Sequence, residues 1–210
     1  MKMWTTIWRL VSHLAQRFEK PRCKTTNIEG FKGTPKKKTV GVVLDTPNCA
    51  RRVEACHGRG ARPDFVQVLK IARSKGSLAA AVAVANAGVP AYVLAEWRRI
   101  GYSPYCGLGR SDCDDSVTAK ALSLGMRCDV LVLASGDHAY APLVQALRRL
   151  GKEVVVTAVR SGTARVLLSS ASEFVEIPVS RCSGKFLRNA LPAFQKRHVP
   201  QRVQAAESGA

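Results

Sequence analysis

The chain has 210 residues, enough for one well-buried domain with extensions. Its 33 Lys and Arg against 15 Asp and Glu leave a net charge of +18, which points to polyanionic partners: RNA, DNA or an anionic membrane surface. Ordinary apolar content excludes wholesale disorder, and no apolar run reaches a membrane-spanning length.

Residues 3–18, MWTTIWRLVSHLAQRF, set Trp4, Ile7, Trp8, Val11, Leu14 and Phe18 on one stripe opposite Arg9, His13 and Arg17. Residues 1–19 therefore read as an amphipathic basic helix. Packing on its own domain or a partner, contact with a membrane surface, and service as an organellar presequence are the three uses open to it. It has no signal-peptide h-region, which argues against secretion. Residues 20–38, rich in Lys, Pro and Gly, read as a basic linker.

The folded part follows as one domain over residues 39–178. Residues 39–45 (TVGVVLD) predict a short apolar strand. Residues 62–76 predict a helix with Pro63 in its first turn. Residues 78–86 (LAAAVAVAN) are apolar on both faces, as in a central parallel strand. A helix over 91–101 and a weak strand at 101–108 come next, then a helix over 114–126 and a buried strand over 128–135. A helix over 140–151, a strand over 152–159, a short helix around TARVLLSSA and a last strand, EFVEIPV, complete the series. This alternation predicts an α/β fold, a three-layer α/β/α sandwich with a mainly parallel central sheet. Residues 179–210 form a second basic arm, expected to be a loose helix followed by disorder. The cysteines (23, 49, 56, 106, 113, 128, 182) form no C-x-x-C pair and no Cys/His metal spacing. They read as mostly buried free thiols of a reducing compartment.

Ligand chemistry in such sheets sits beyond the carboxyl ends of the strands, and three strand exits here carry acids. Asp45 ends the first strand, with Asn48 three residues on. The 101–108 strand runs into Asp112, Asp114 and Asp115, and the strand over 128–135 ends at Asp137. Singly, each has a plain explanation: Asp114 and Asp137 precede helices that they can cap, and Asp45 can close a turn with Asn48. Jointly, carboxylates converging from three exits repel one another unless a cation sits among them, and oxygen-only ligands favour Mg²⁺ or Mn²⁺.

At these residues the sequence resembles the NYN domain, a branch of the PIN-like nuclease superfamily, and in particular its small stand-alone prokaryotic members. Asp45-Thr46-Pro47-Asn48 is similar to the family's first-strand D-x-x-N motif. Asp112-Cys113-Asp114 and the following helix are similar to its central acidic motif. SGDHAYAPL, from Ser135, is similar to its S-G-D-x-D-F motif, and LRRLGKEVVV to the segment that follows. Two family acids are missing, at Ala139 and Lys120.

The resemblance implies a PIN-like fold and a metal-dependent endoribonuclease cutting single-stranded or structured RNA to leave a 5′-phosphate. Asp45, Asp114 and Asp137 would hold Mg²⁺ or Mn²⁺, with Asp112 as an accessory ligand and Asn48 fixing Asp45 or a metal-bound water. The segment after Asn48 carries Arg51, Arg52, Arg59 and Arg62 to the same edge, where arginines hold phosphates. Arg110, beside the central acids, is a further candidate RNA contact. Tyr140 reads as a core aromatic and His138 as a surface histidine.

The competing reading is a catalytically weak or inactive RNA-binding or ribonucleoprotein component on the same fold, favoured by Ala139, Lys120 and the basic arms. A haloacid-dehalogenase-type phosphatase would need a second Asp at position 47, which is Pro. Gly107-x-Gly109 lacks the third Gly of a dinucleotide fingerprint. The expected location is the cytoplasm, with organellar import through the first helix as the alternative. A homo-oligomer is compatible with the sequence.

Overall fold

The computed structural model describes residues 37–107 and 113–181. The expected first helix, most of the linker, residues 108–112 with Arg110 and Asp112, and the tail from 182 lie outside the described residues.

Six strands form one sheet: β1 (Thr39–Asp45), β3 (Ser77–Ala85), β4 (Ser103–Cys106), β5 (Val130–Ala134), β6 (Glu153–Ala158) and β7 (Glu173–Glu176), in the order β4-β3-β1-β5-β6-β7. Every pairing within it is parallel. The helices are α1 (Thr46–His57), α2 (Phe65–Lys75), α3 (Ala91–Ile100), α4 (Asp114–Arg127), α5 (Ala141–Arg149) and α6 (Arg165–Ser170). The expected three-layer α/β sandwich is what the chain forms.

Alternation along the strands divides the core in two. Val40, Val42 and Leu44 of β1, with Val130 and Val132 of β5, face Val53, Leu69 and Trp97 of the first three helices. Val43, Leu131 and Leu133 face Val117, Leu124, Val144 and Leu147 of α4 and α5. Both faces of β1 and β5 are thus apolar, as parallel strands covered on two sides must be. The sheet's lower edge is closely drawn. A Cβ on Gly76 would stand 2.1 Å from the Lys38 carbonyl oxygen, which accepts from the Ser77 amide at 2.8 Å.

One segment is filled in and one expectation is corrected. The segment after Asn48, to which no element was assigned, continues helix α1 as far as His57. And residues 62–64 do not begin α2: Ala61–Pro63 is a short strand, β2, paired antiparallel with β8 (Val179–Arg181). The residue before a proline disfavours the α region, and Asp64 instead caps α2, its Oδ1 accepting from the Gln67 amide at 3.0 Å. The ribbon also takes Val179–Arg181, assigned above to the basic arm, into the folded part. Among the described residues no helix is long and apolar enough to cross a membrane.

The strand order reverses at β1. From there the chain builds outward through β3 and β4, then returns to the other side of β1 for β5, β6 and β7. A crevice outside the carboxyl ends of β1 and β5 is therefore the topological switch point of this sheet.

Candidate active site

Asp45 is the last residue of β1 and the N-cap of α1, and its side chain is only 1% exposed. Helix α1 starts on it and crosses the carboxyl end of the sheet. Thr46 Oγ1 donates to the Val84 carbonyl of β3 at 2.7 Å, and the Cys49 thiol donates to the Ala134 carbonyl at the end of β5 at 3.2 Å. Farther along, the Arg52 stem and Cys56 lie against Gly162, in the turn after β6. The site thus has a helical roof whose first turn is buried.

Each Asp45 oxygen has its own partners. Oδ1 accepts from the Asn48 amide at 3.1 Å and from the Cys113 thiol at 3.7 Å. Oδ2 accepts from Ser135 Oγ at 3.0 Å and lies 3.2 Å from the Tyr140 hydroxyl. The same hydroxyl lies 3.1 Å from Asp114 Oδ1. Asp45 and Asp114, 69 positions apart in sequence by their numbers, thus face one common point. Burial pushes the Asp45 carboxyl up to about 6, and the Asp114 charge adds to the rise. Hydrogen bonds from Asn48, Ser135 and Tyr140 pull the other way. Burial, Asp45 and Asp114 likewise hold the Cys113 thiol and the Tyr140 phenol well above their ordinary values.

Asn48 performs a different task. Its Oδ1 accepts from the Gly136 amide at 3.1 Å and so fixes the turn that leaves β5. A Cβ on Gly136 would stand 3.1 Å from Thr163 Oγ1 and 3.2 Å from the Gly162 carbonyl, so the turns after β5 and β6 are pressed together. Ser135 Oγ, while donating to Asp45, accepts from the Asp137 amide at 3.2 Å.

The expected grouping of Asp45, Asp114 and Asp137 as metal ligands is not found among the described residues. Asp137 caps its own 3₁₀ turn, Oδ1 accepting from the Ala139 amide at 3.0 Å with His138 Nδ1 at 3.1 Å. Among the described residues no group of three or more Asp, Glu, His or Cys side chains is placed to hold a metal ion.

Of the arginines, Arg51 and Arg52 are exposed on α1, and Arg59 is exposed in the turn that follows it. Arg62 is turned inward, with a 14% exposed side chain. Its Nη1 donates to the Ala61 carbonyl at 2.6 Å and lies 3.9 Å from Glu54 Oε1. His138 is exposed, as expected. Tyr140 is a core aromatic, as expected, but its hydroxyl and Ser135 Oγ also meet Asp45, which the sequence reading did not foresee. The signal for Tyr140 was the hydroxyl itself, since a buried tyrosine needs a polar partner.

A doubly wound parallel sheet with an acid pair at its switch point defines a class of α/β proteins that handle ligands at that edge. The chain belongs to the NYN domain family, whose model matches residues 39–178, and that family has the PIN-like nuclease fold. Among solved structures, a Vibrio parahaemolyticus protein of unknown function matches with a TM-score of 0.62 at 22% identity. The match covers 70% of this chain and 96% of that one. At that identity the likeness concerns the fold. No curated protein matches the chain.

Proposed function

We propose that the protein is a divalent-metal-dependent endoribonuclease whose ion is held by Asp45 and Asp114. The observation that carries this reading is the pairing of a fully buried aspartate at the end of β1 with a second aspartate at the first turn of α4. Burial and the Asp114 charge raise the Asp45 carboxyl despite its hydrogen bonds, and a cation bound there would stabilise its ionised form. The donors fit Mg²⁺ or Mn²⁺, which are held by one or two carboxylates while phosphate oxygens and water complete the shell.

Such an ion would offset charge on the scissile phosphate and lower the pKa of a bound water. The chain's own residues do the rest. Asn48 and Ser135 hold the β1 and β5 exits in register, so Asp45 presents one fixed geometry to the crevice. Arg51 and Arg52 on the roof helix, with Arg59, supply charge for the phosphates flanking the cut. Water adds to phosphorus as the P–O3′ bond breaks, leaving a 5′-phosphate and a 3′-hydroxyl.

The test is incubation of the full chain with Mn²⁺ or Mg²⁺ and a broad set of structured and single-stranded RNAs. Cleavage is expected, and expected to vanish in Asp45→Asn and Asp114→Asn. Absence of any cutting above the Asp45→Asn background would sink the proposal. A second reading, an RNA-binding component without catalysis, draws on the engagement of Asp137 with its own turn and on Ala139. It predicts RNA binding that Asp45→Asn leaves intact or strengthens, with no metal-dependent cleavage in either form.

A further inference from the structure

We infer that the Tyr140 hydroxyl is a built-in competitor of the cation, bridging Asp45 and Asp114 and weakening the ion's hold on the pair. This rests on the proposed metal site and concerns how tightly that site is set.

Three observations lead there. Tyr140 is fully buried, and its ring sits in the core cluster with Val84, Val117, Ala121 and Leu133, so the packing fixes where the hydroxyl points. The hydroxyl lies 3.2 Å from Asp45 Oδ2 and 3.1 Å from Asp114 Oδ1. A phenol, finally, has a single proton. It donates to one carboxylate at a time and faces the other with a lone pair, so it relieves only part of the repulsion between the acids. An ion serving both carboxylates must approach the oxygens that the hydroxyl already contacts. Removing the hydroxyl takes one contact from Asp45 Oδ2, which keeps Ser135 Oγ, and one from Asp114 Oδ1. At a pH where both acids are ionised, a cation then meets one competitor fewer and binds more tightly. A phenylalanine ring fills the same core space and lacks only the group at issue.

The experiment is Mn²⁺ titration of the full chain, following free Mn²⁺ by electron paramagnetic resonance, for wild type, Tyr140→Phe and Asp45→Asn, with near-UV circular dichroism as a check on folding. Tyr140→Phe is expected to bind one Mn²⁺ about tenfold more tightly, the scale of one hydrogen bond to a charged acceptor. Asp45→Asn is expected to lose that site. Equal or weaker binding by a folded Tyr140→Phe, while wild type keeps an Asp45-dependent site, overturns the inference and spares the metal site. No Asp45-dependent Mn²⁺ in either protein overturns both.

A second measurement needs no tyrosine variant. In the wild-type chain labelled with 3-fluorotyrosine, Mg²⁺ is expected to shift one ¹⁹F resonance, and not to shift it in Asp45→Asn. No Mg²⁺-dependent resonance in the wild type refutes the competition.

Discussion

Asp45→Asn tests the energetics of the site apart from its activity. The Asp45 carboxyl is raised from 3.8 to about 6, with burial as the main cause. Between those values the folded protein keeps a proton that the unfolded chain has released, so stability falls as pH rises through the window. Below 3.8 both states are protonated and nothing is lost; above 6 both are ionised and the full cost of the buried charge is present. A shift of that size corresponds to about 3 kcal/mol.

An asparagine avoids the charge and keeps most of the partners. Its carbonyl can accept from the Asn48 amide, and its NH₂ can donate to Ser135 Oγ or Tyr140 Oη, hydroxyls that reorient to receive it. The variant should therefore be more stable than wild type at pH 7.5 in a chelator, by about 1–3 kcal/mol after allowance for imperfect amide geometry. In a chain of this length that raises Tm by roughly 5 °C. At pH 4.5, where folded wild type is mostly protonated, the charge's share of that advantage should shrink to about a third of its value. Urea unfolding at the two pH values measures both numbers. A variant less stable than wild type at both, or equally favoured at both, refutes the claim that Asp45 is a strained buried charge. Added Mg²⁺ should narrow the gap by stabilising wild type alone.

Two further predictions concern the site's support and its reach. Asn48→Ala leaves the buried Gly136 amide without its acceptor, so it should lose about 1–3 kcal/mol in urea unfolding and show faster hydrogen exchange at Gly136. An unchanged unfolding midpoint would show that the clamp does not matter. Replacing Arg51 and Arg52 together by Ala should weaken binding to single-stranded RNA and flatten the slope of log K against log salt by about 1.4, at about 0.7 per phosphate contact. Fluorescence anisotropy across salt concentrations reads the slope, and Arg62→Ala, an inward-facing control, should leave it unchanged.

The sheet was legible because its strands advertise themselves. β1, β5 and β6 are continuous apolar runs, and the amphipathic helices between them make the crossovers unambiguous. The acids at the strand exits followed from the topology. Helix α1 was hidden because its buried residues are Thr46, Pro47, Asn48, Cys49 and Val53, which form no apolar stripe. Its first turn is buried under the ends of neighbouring strands rather than on a core face, and that contact is invisible until the strand order is known. β2 was hidden because three residues cannot show alternation and its partner lies over a hundred residues away. For Asp137 both outcomes, cap and ligand, were readable in advance. The structure shows the cap.

Asp45 was also read both ways, as a turn residue bonded to Asn48 and as a site acid, and for it the two readings hold together. The carboxylate has two oxygens, and the fold divides them. Oδ1 receives the Asn48 amide and starts helix α1, a local requirement that any such cap would satisfy. Oδ2 points across the switch point to Ser135 and Tyr140, groups that the sheet order alone brings there. The capping bond stabilises the ionised form, which burial and Asp114 disfavour. The helix start thus offsets part of the cost of keeping a charge at the bottom of the crevice, with its second oxygen turned toward the other acid.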